Sequence, residues 1–141
     1  KMKNRKETIR TIFLVIIILS AIIATYVINK NRIVKVEEIE VTFTVENTMI
    51  MGFDVNNTAL TFGKVPRGST GMRPLELENN EEFPVTVKIK KLGETAEYLS
   101  FSENNFILEP KEKKEITVFA TPSPQTPDNI YTGKITILFI K

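Results

Sequence analysis

Residues 39–46 read IEVTFTVE. Ile39, Val41, Phe43 and Val45 alternate with Glu40, Thr42, Thr44 and Glu46. A period of two belongs to a strand with one face in a core and the other in water. The pattern recurs downstream. PLELE (74–78) sets Leu75 and Leu77 against Glu76 and Glu78, and VTVKIK (85–90) sets Val85, Val87 and Ile89 against Thr86, Lys88 and Lys90. EITVFA (115–120) carries Ile116, Val118 and Ala120 on one side. Shorter candidates are MIMGFDV (49–55), ALTFG (59–63), YLSFS (98–102) and FIL (106–108), and the last strand is IYTGKITILFI (130–140). Turn residues separate them: Asn56-Asn57, Pro66-Arg67-Gly68-Ser69, Asn79-Asn80, Leu92-Gly93, Asn104-Asn105 and Pro110-Lys111. About eight short strands at roughly ten-residue spacing predict an all-β antiparallel sandwich, here over residues 37–141.

Upstream of residue 36 the alternation is replaced by a continuous apolar run. TIFLVIIILSAIIATYVI (11–28) contains no charge, and Arg10 and Lys30 stand outside its ends. Eighteen helical residues span about 27 Å, close to the thickness of a bilayer core. The expectation is one N-terminal transmembrane α-helix, built on Ile12, Phe13, Leu14, Val15, Ile16, Ile17, Ile18, Leu19, Ile22, Ile23, Val27 and Ile28. Tyr26 suits the membrane–water interface. The hydroxyls of Thr11, Ser20 and Thr25 can bond back to the helix. A cleaved signal would have a shorter apolar run and a small-x-small site; a cut after Ala24 would place Ile22 where a small residue belongs. Residues 1–10 carry five basic residues against Glu7, or +4, whereas residues 36–141 carry 11 basic and 16 acidic residues, or −5. The more positive flank stays cytoplasmic. The order is therefore a basic cytoplasmic segment (1–10), the span (11–28), a short linker (29–36) and an extracytoplasmic domain (37–141) in the cell membrane.

Composition narrows the chemistry. The chain has no Cys, no His and no Trp. The usual ligands of zinc, copper and non-haem iron are thus missing, as are the commonest general base and the Ser-His and Cys-His nucleophile pairs. The Glu clusters at 37/38/40, 81/82 and 109/112/115 read as solvated faces and turns. PRGSTG (66–71) lacks the Gly-Lys-Ser/Thr ending of a phosphate loop. There is no basic stripe with interleaved aromatics to bind nucleic acid. No enzyme activity, cofactor, metal or small-molecule substrate is expected.

LTFGKVPRGSTGMRPLELENNEEFPVTVKIK, then FILEPKEKKEITVFATP, then YTGKITI together resemble the Hydin-type, or ASH-like, branch of immunoglobulin-like sandwiches. Phe62, Gly63, Val65, Gly68, Asn79, Pro110, Val118, Pro122, Tyr131 and Gly133 hold the places that carry the likeness. Lys111 departs from it, because glycine is frequent after the proline at that turn. The resemblance spans about residues 58–141 and implies an Ig-like sandwich. It implies a role as adaptor, stalk or assembly module, with no catalytic set to carry over. The Ile/Lys/Glu/Asn-rich composition with this domain type resembles archaeal proteins.

The strands that should have a polar side carry an excess of apolar residues. In KITILFIK, Ile135, Ile137 and Phe139 occupy one face, and Leu138 and Ile140 the other. A terminal strand of a sandwich commonly lies at an edge, where two apolar sides invite pairing. Phe119 opposes Val118 and Ala120, and Met49 and Met51 add a soft patch. Phe119, Leu138, Ile140, Met49 and Met51 are the candidate interface. Asn56-Asn57-Thr58 is a sequon, which makes Asn56 a candidate glycosylation site. The expected partners are membrane lipid at the helix and other membrane or surface proteins, or a second copy, at the domain. Two other readings compete: a subunit or stator component of a pilin- or archaellum-type filament, and a surface glycan or cell-wall binding module. A pilin would need a small residue for processing before the apolar run, and no Gly or Ala occurs before Ala21. A glycan module would use Tyr98 and Tyr131 on loops.

Overall fold

The computed structural model describes residues 2–30, 32–46 and 59–141. The chain forms two compact units, Lys1–Ile33 and Val34–Lys141. The first is the helix α1 (Met2–Lys30). Within it Thr11 Oγ1 donates to Glu7 O at 3.0 Å, Ser20 Oγ to Ile17 O at 2.8 Å and Thr25 Oγ1 to Ala21 O at 2.9 Å. The polar side chains of the apolar run therefore spend their hydroxyl protons on the helix itself.

Among the described residues the second unit holds eight strands: β1 (Ile33–Val45), β2 (Ala59–Lys64), β3 (Gly71–Glu78), β4 (Val85–Gly93), β5 (Leu99–Phe101), β6 (Phe106–Leu108), β7 (Lys113–Ala120) and β8 (Asn129–Ile140). They form a five-stranded sheet in the order β2-β1-β8-β4-β6 and a three-stranded sheet in the order β3-β7-β5. The pairs β3·β7, β5·β7, β4·β6 and β4·β8 are antiparallel, whereas β2 runs parallel to β1. A register shift between Thr42 and Phe43 leaves Phe62 as the extra residue on β2. Gly63, next in the chain, takes φ 68°.

The alternation read from the sequence reappears as burial. Val41, Phe43, Val85, Val87, Ile116, Val118, Ile135 and Ile137 point between the sheets and are at most 2% exposed. Phe43 stacks on Tyr131 with ring centroids 5.3 Å apart, and Tyr98 meets both rings edge-on at 5.7 and 5.1 Å. The Tyr131 hydroxyl donates to Pro127 O at 3.1 Å, four residues upstream, so the polar end of a buried ring is satisfied. Both tyrosines that a glycan-binding surface would use are thus committed to this trio.

Two expectations change. β8 is not an edge strand: it lies in the middle of the larger sheet, between β1 and β4. The edges are β2, β6, β3 and β5. Leu92 and Gly93 also remain in β4, with the turn following at residues 94–98. Strand MIMGFDV lies outside the described residues.

The turn at Asn79 ties three segments together. Its side chain is 1% exposed. Nδ2 donates to Phe83 O, Leu108 O and Glu109 O at 2.9, 3.1 and 3.0 Å, and Oδ1 accepts from Glu81 N at 3.0 Å. The residue after Pro110 is Lys111 at φ 63°, so the site where the Hydin-type pattern favours glycine is left-handed here too, and a lysine bears the strain.

Candidate interaction surface

The inward set of β8 leaves Leu138 and Ile140 on the outer face of the five-stranded sheet. On β4, Lys88 stands opposite Leu138, Lys90 opposite Thr136 and Thr86 opposite Ile140. Thr86 in turn faces Ile107 of β6. Leu138 and Ile140 are half-buried among these neighbours, whereas Ile107 is 63% exposed. On the other side of β8 lies β1, whose outward residues include Val36, Glu38 and Glu40, all exposed. Lys134 Nζ donates to Glu38 Oε2 at 2.9 Å, and Lys35 Nζ sits 5.3 Å from the Phe139 ring centroid. These two contacts run in opposite order along β1 and β8, so the strands are antiparallel.

The face is therefore divided by charge. Lys88 and Lys90 stand on the β4 side, Glu38 and Glu40 on the β1 side, and an apolar pair runs down the strand between. The excess of apolar residues on β8 was visible in the sequence. This division was not, because it depends on which strands flank β8.

Phe119 belongs to the other sheet. Its outer face sets Phe119 between Met72 and Ser100; Phe119 is half-buried and Met72 is 62% exposed. The structure thus brings Leu138 and Ile140 together and separates them from Phe119 by the thickness of the sandwich. Met49, Met51 and Asn56 lie outside the described residues. The helix residues named for an anchor are all exposed within their own unit, from 47% at Val27 to 68% at Tyr26.

A cavity of about 180 Å³ lies between β2 and β3, lined by Phe62, Val65, Gly71, Met72 and Arg73 among others. Arg73 Nε donates to Thr61 O at 2.8 Å and joins the two strands there. Among the described residues no group of three or more His, Cys, Asp or Glu could hold a metal ion. Tyr98 has its phenol pushed up to about 12, first by a hydrogen bond with the Glu97 carboxylate and then by burial. Both causes favour the neutral phenol.

No curated protein sequence matches the chain. Among solved structures, the DraE adhesin in complex with chloramphenicol succinate is similar at 11% identity and a TM-score of 0.44, covering 76% of this chain and 96% of that one. The family comparison rests on sequence and falls on the segment that contains the Asn79 turn and the strands around it. The model of the ASH family (Abnormal spindle-like microcephaly-assoc'd, ASPM-SPD-2-Hydin) matches residues 46–131, more than half of the chain, and the protein belongs to that family, with a Hydin-type immunoglobulin-like domain.

Proposed function

We propose that this protein is a single-pass membrane protein. It presents a non-enzymatic Ig-like domain outside the cell membrane, as an accessory or assembly module of a membrane complex or surface structure. The observation that carries the reading is the 22-residue stretch Glu7–Ile28, whose most apolar 18-residue window has mean hydropathy 2.8 with none of it buried. Each large apolar side chain left in water forfeits roughly 1.5–3 kcal/mol of burial. A bilayer offers that burial along the whole helix, and the helix satisfies its own backbone polar groups there. The basic residues 1–10 favour a cytoplasmic N-terminus. An Ig-like domain with two sheets of exposed outer surface suits docking rather than turnover.

The test is an intact mass, taken on protein from carbonate-washed membranes in mild detergent. The expected result is a full-length chain that floats with vesicles. A soluble chain beginning near Thr25 would make the apolar run a cleaved signal. A chain trimmed before the run, in a large homopolymer, would make it a filament subunit.

A further inference from the structure

We propose that the outer face of the five-stranded sheet docks on the same face of a second copy of this chain, with the two-fold axis running along β8. The inference rests on the membrane-anchored reading above and adds the partner to it. It starts from the strand order β1-β8-β4. Leu138 and Ile140 lie on the central strand, Glu38 and Glu40 on one neighbour, and Lys88 and Lys90 on the other. A two-fold axis along the central strand lays β4 of one copy over β1 of the other. Lys90 of each copy then comes within reach of the partner's Glu38, while Leu138 and Ile140 meet their own counterparts at the axis.

Glu38 is bonded to Lys134, and Lys134 pairs with Leu92 of β4, two residues from the Lys90 that pairs with Thr136. An axis parallel to the strands preserves height, so Glu38 comes opposite the partner's Leu92 and within side-chain reach of its Lys90. Val36, 50% exposed, comes near the aliphatic stem of the same Lys90. Lys90 has no ion-pair partner among the described residues, and a second copy supplies one.

One feature chooses this occupant over others. A partner of uniform charge, such as an anionic polymer or lipid headgroups, is attracted by one row and repelled by the other. Aligned sheets packed in this way lie about 10 Å apart, with strands within about 30° of one another.

The chain has no cysteine, which makes a single introduced thiol specific. The full-length chain in its own membranes is compared as Leu138→Cys and Met72→Cys, with a bismaleimide spanning about 10 Å. Met72→Cys reports the outer face of the other sheet. The expected result is a crosslinked dimer from Leu138→Cys and little from Met72→Cys. Adding Lys90→Glu to Leu138→Cys should reduce the dimer at least tenfold, and Glu38→Lys on top of both should restore it. Equal crosslinking at both sites overturns the proposal, and so does a monomer, a complex with a different protein on this face, or a dimer indifferent to the charge changes. The same membranes, washed with carbonate, show whether the chain is anchored, so loss of the anchor and loss of the dimer are read separately.

Discussion

At the scale of the residue, Asn79 does the work of a small element. One amide NH2 serves three carbonyls and one amide oxygen closes an Asx-type turn on Glu81 N. Asn79→Ala removes the side-chain partner of the buried Leu108 carbonyl and of three part-buried groups, and is expected to cost about 3 kcal/mol, measured by denaturant unfolding of the detergent-solubilised chain. Asn79→Asp should cost at least as much, because a carboxylate cannot donate to three carbonyls. Tyr98 carries a pH signature. Its phenol, raised to about 12 in the fold, holds its proton where an unfolded tyrosine near 10 has lost it. The associated stability is fully present below pH 10 and is lost as pH rises through about 12. Absorbance titration near 295 nm should therefore show a late step that moves to lower pH in Glu97→Gln; an unchanged step would assign the shift to burial alone. Asn79 was legible as a turn residue from its place after PLELE. Its reach to residues 108 and 109 was not, because a side-chain bond across 30 positions leaves no period in the sequence.

At the scale of the element, β4 and β8 face each other through a pair of glycines at one end of their ladder. Gly93 stands opposite Gly133 in the ladder, and Gly93 adopts φ 86°. A Cβ on Gly133 would lie 2.1 Å from Thr95 Oγ1 and 2.6 Å from Leu92 O. Backbone cannot yield as a flexible side chain does, so Gly133→Ala is expected to destabilise by about 3 kcal/mol or more. At roughly 4–8 °C per kcal/mol for a domain of this size, the loss should appear as a fall in Tm well above 10 °C. Gly68→Ala is the control: its added Cβ meets only Pro124 Cγ, at 3.7 Å, and the cost is the positive φ of 70°, about 1 kcal/mol. The strands themselves were legible because alternation is a local signal. FIL at 106–108 coincides with β6, and EITVFA falls within β7. The order of strands was less so. β8 resembled an edge strand because it comes last and is apolar on both sides, yet both sides are needed at the centre of a sheet. Its second apolar row, Leu138 and Ile140, marks a face rather than an edge.

At the scale of the whole molecule, charge separates the two flanks of the apolar helix. Residues 1–10 sum to +4, while the first residues beyond the span still bring Lys30, Arg32 and Lys35. The orientation proposed above depends on the first group outweighing the second, since acidic residues such as Glu37 and Glu38 count for little in this balance. Neutralising Lys3, Arg5, Lys6 and Arg10 together to Gln would leave Lys1 against three basic residues on the far side. The positive-inside rule then reverses its preference, and a substantial fraction of chains should insert with the sandwich in the cytoplasm. Protease added outside intact cells should digest the domain in the parent protein and spare that fraction in the variant. Lysis before digestion should remove the difference. If the domain stays equally accessible in both, folding of residues 34–141 or a bound partner fixes the orientation rather than the flanking charge. If it is protected in both, the sandwich faces inward in the parent protein, and the exterior role argued for its outer face would have to be sought among cytoplasmic partners.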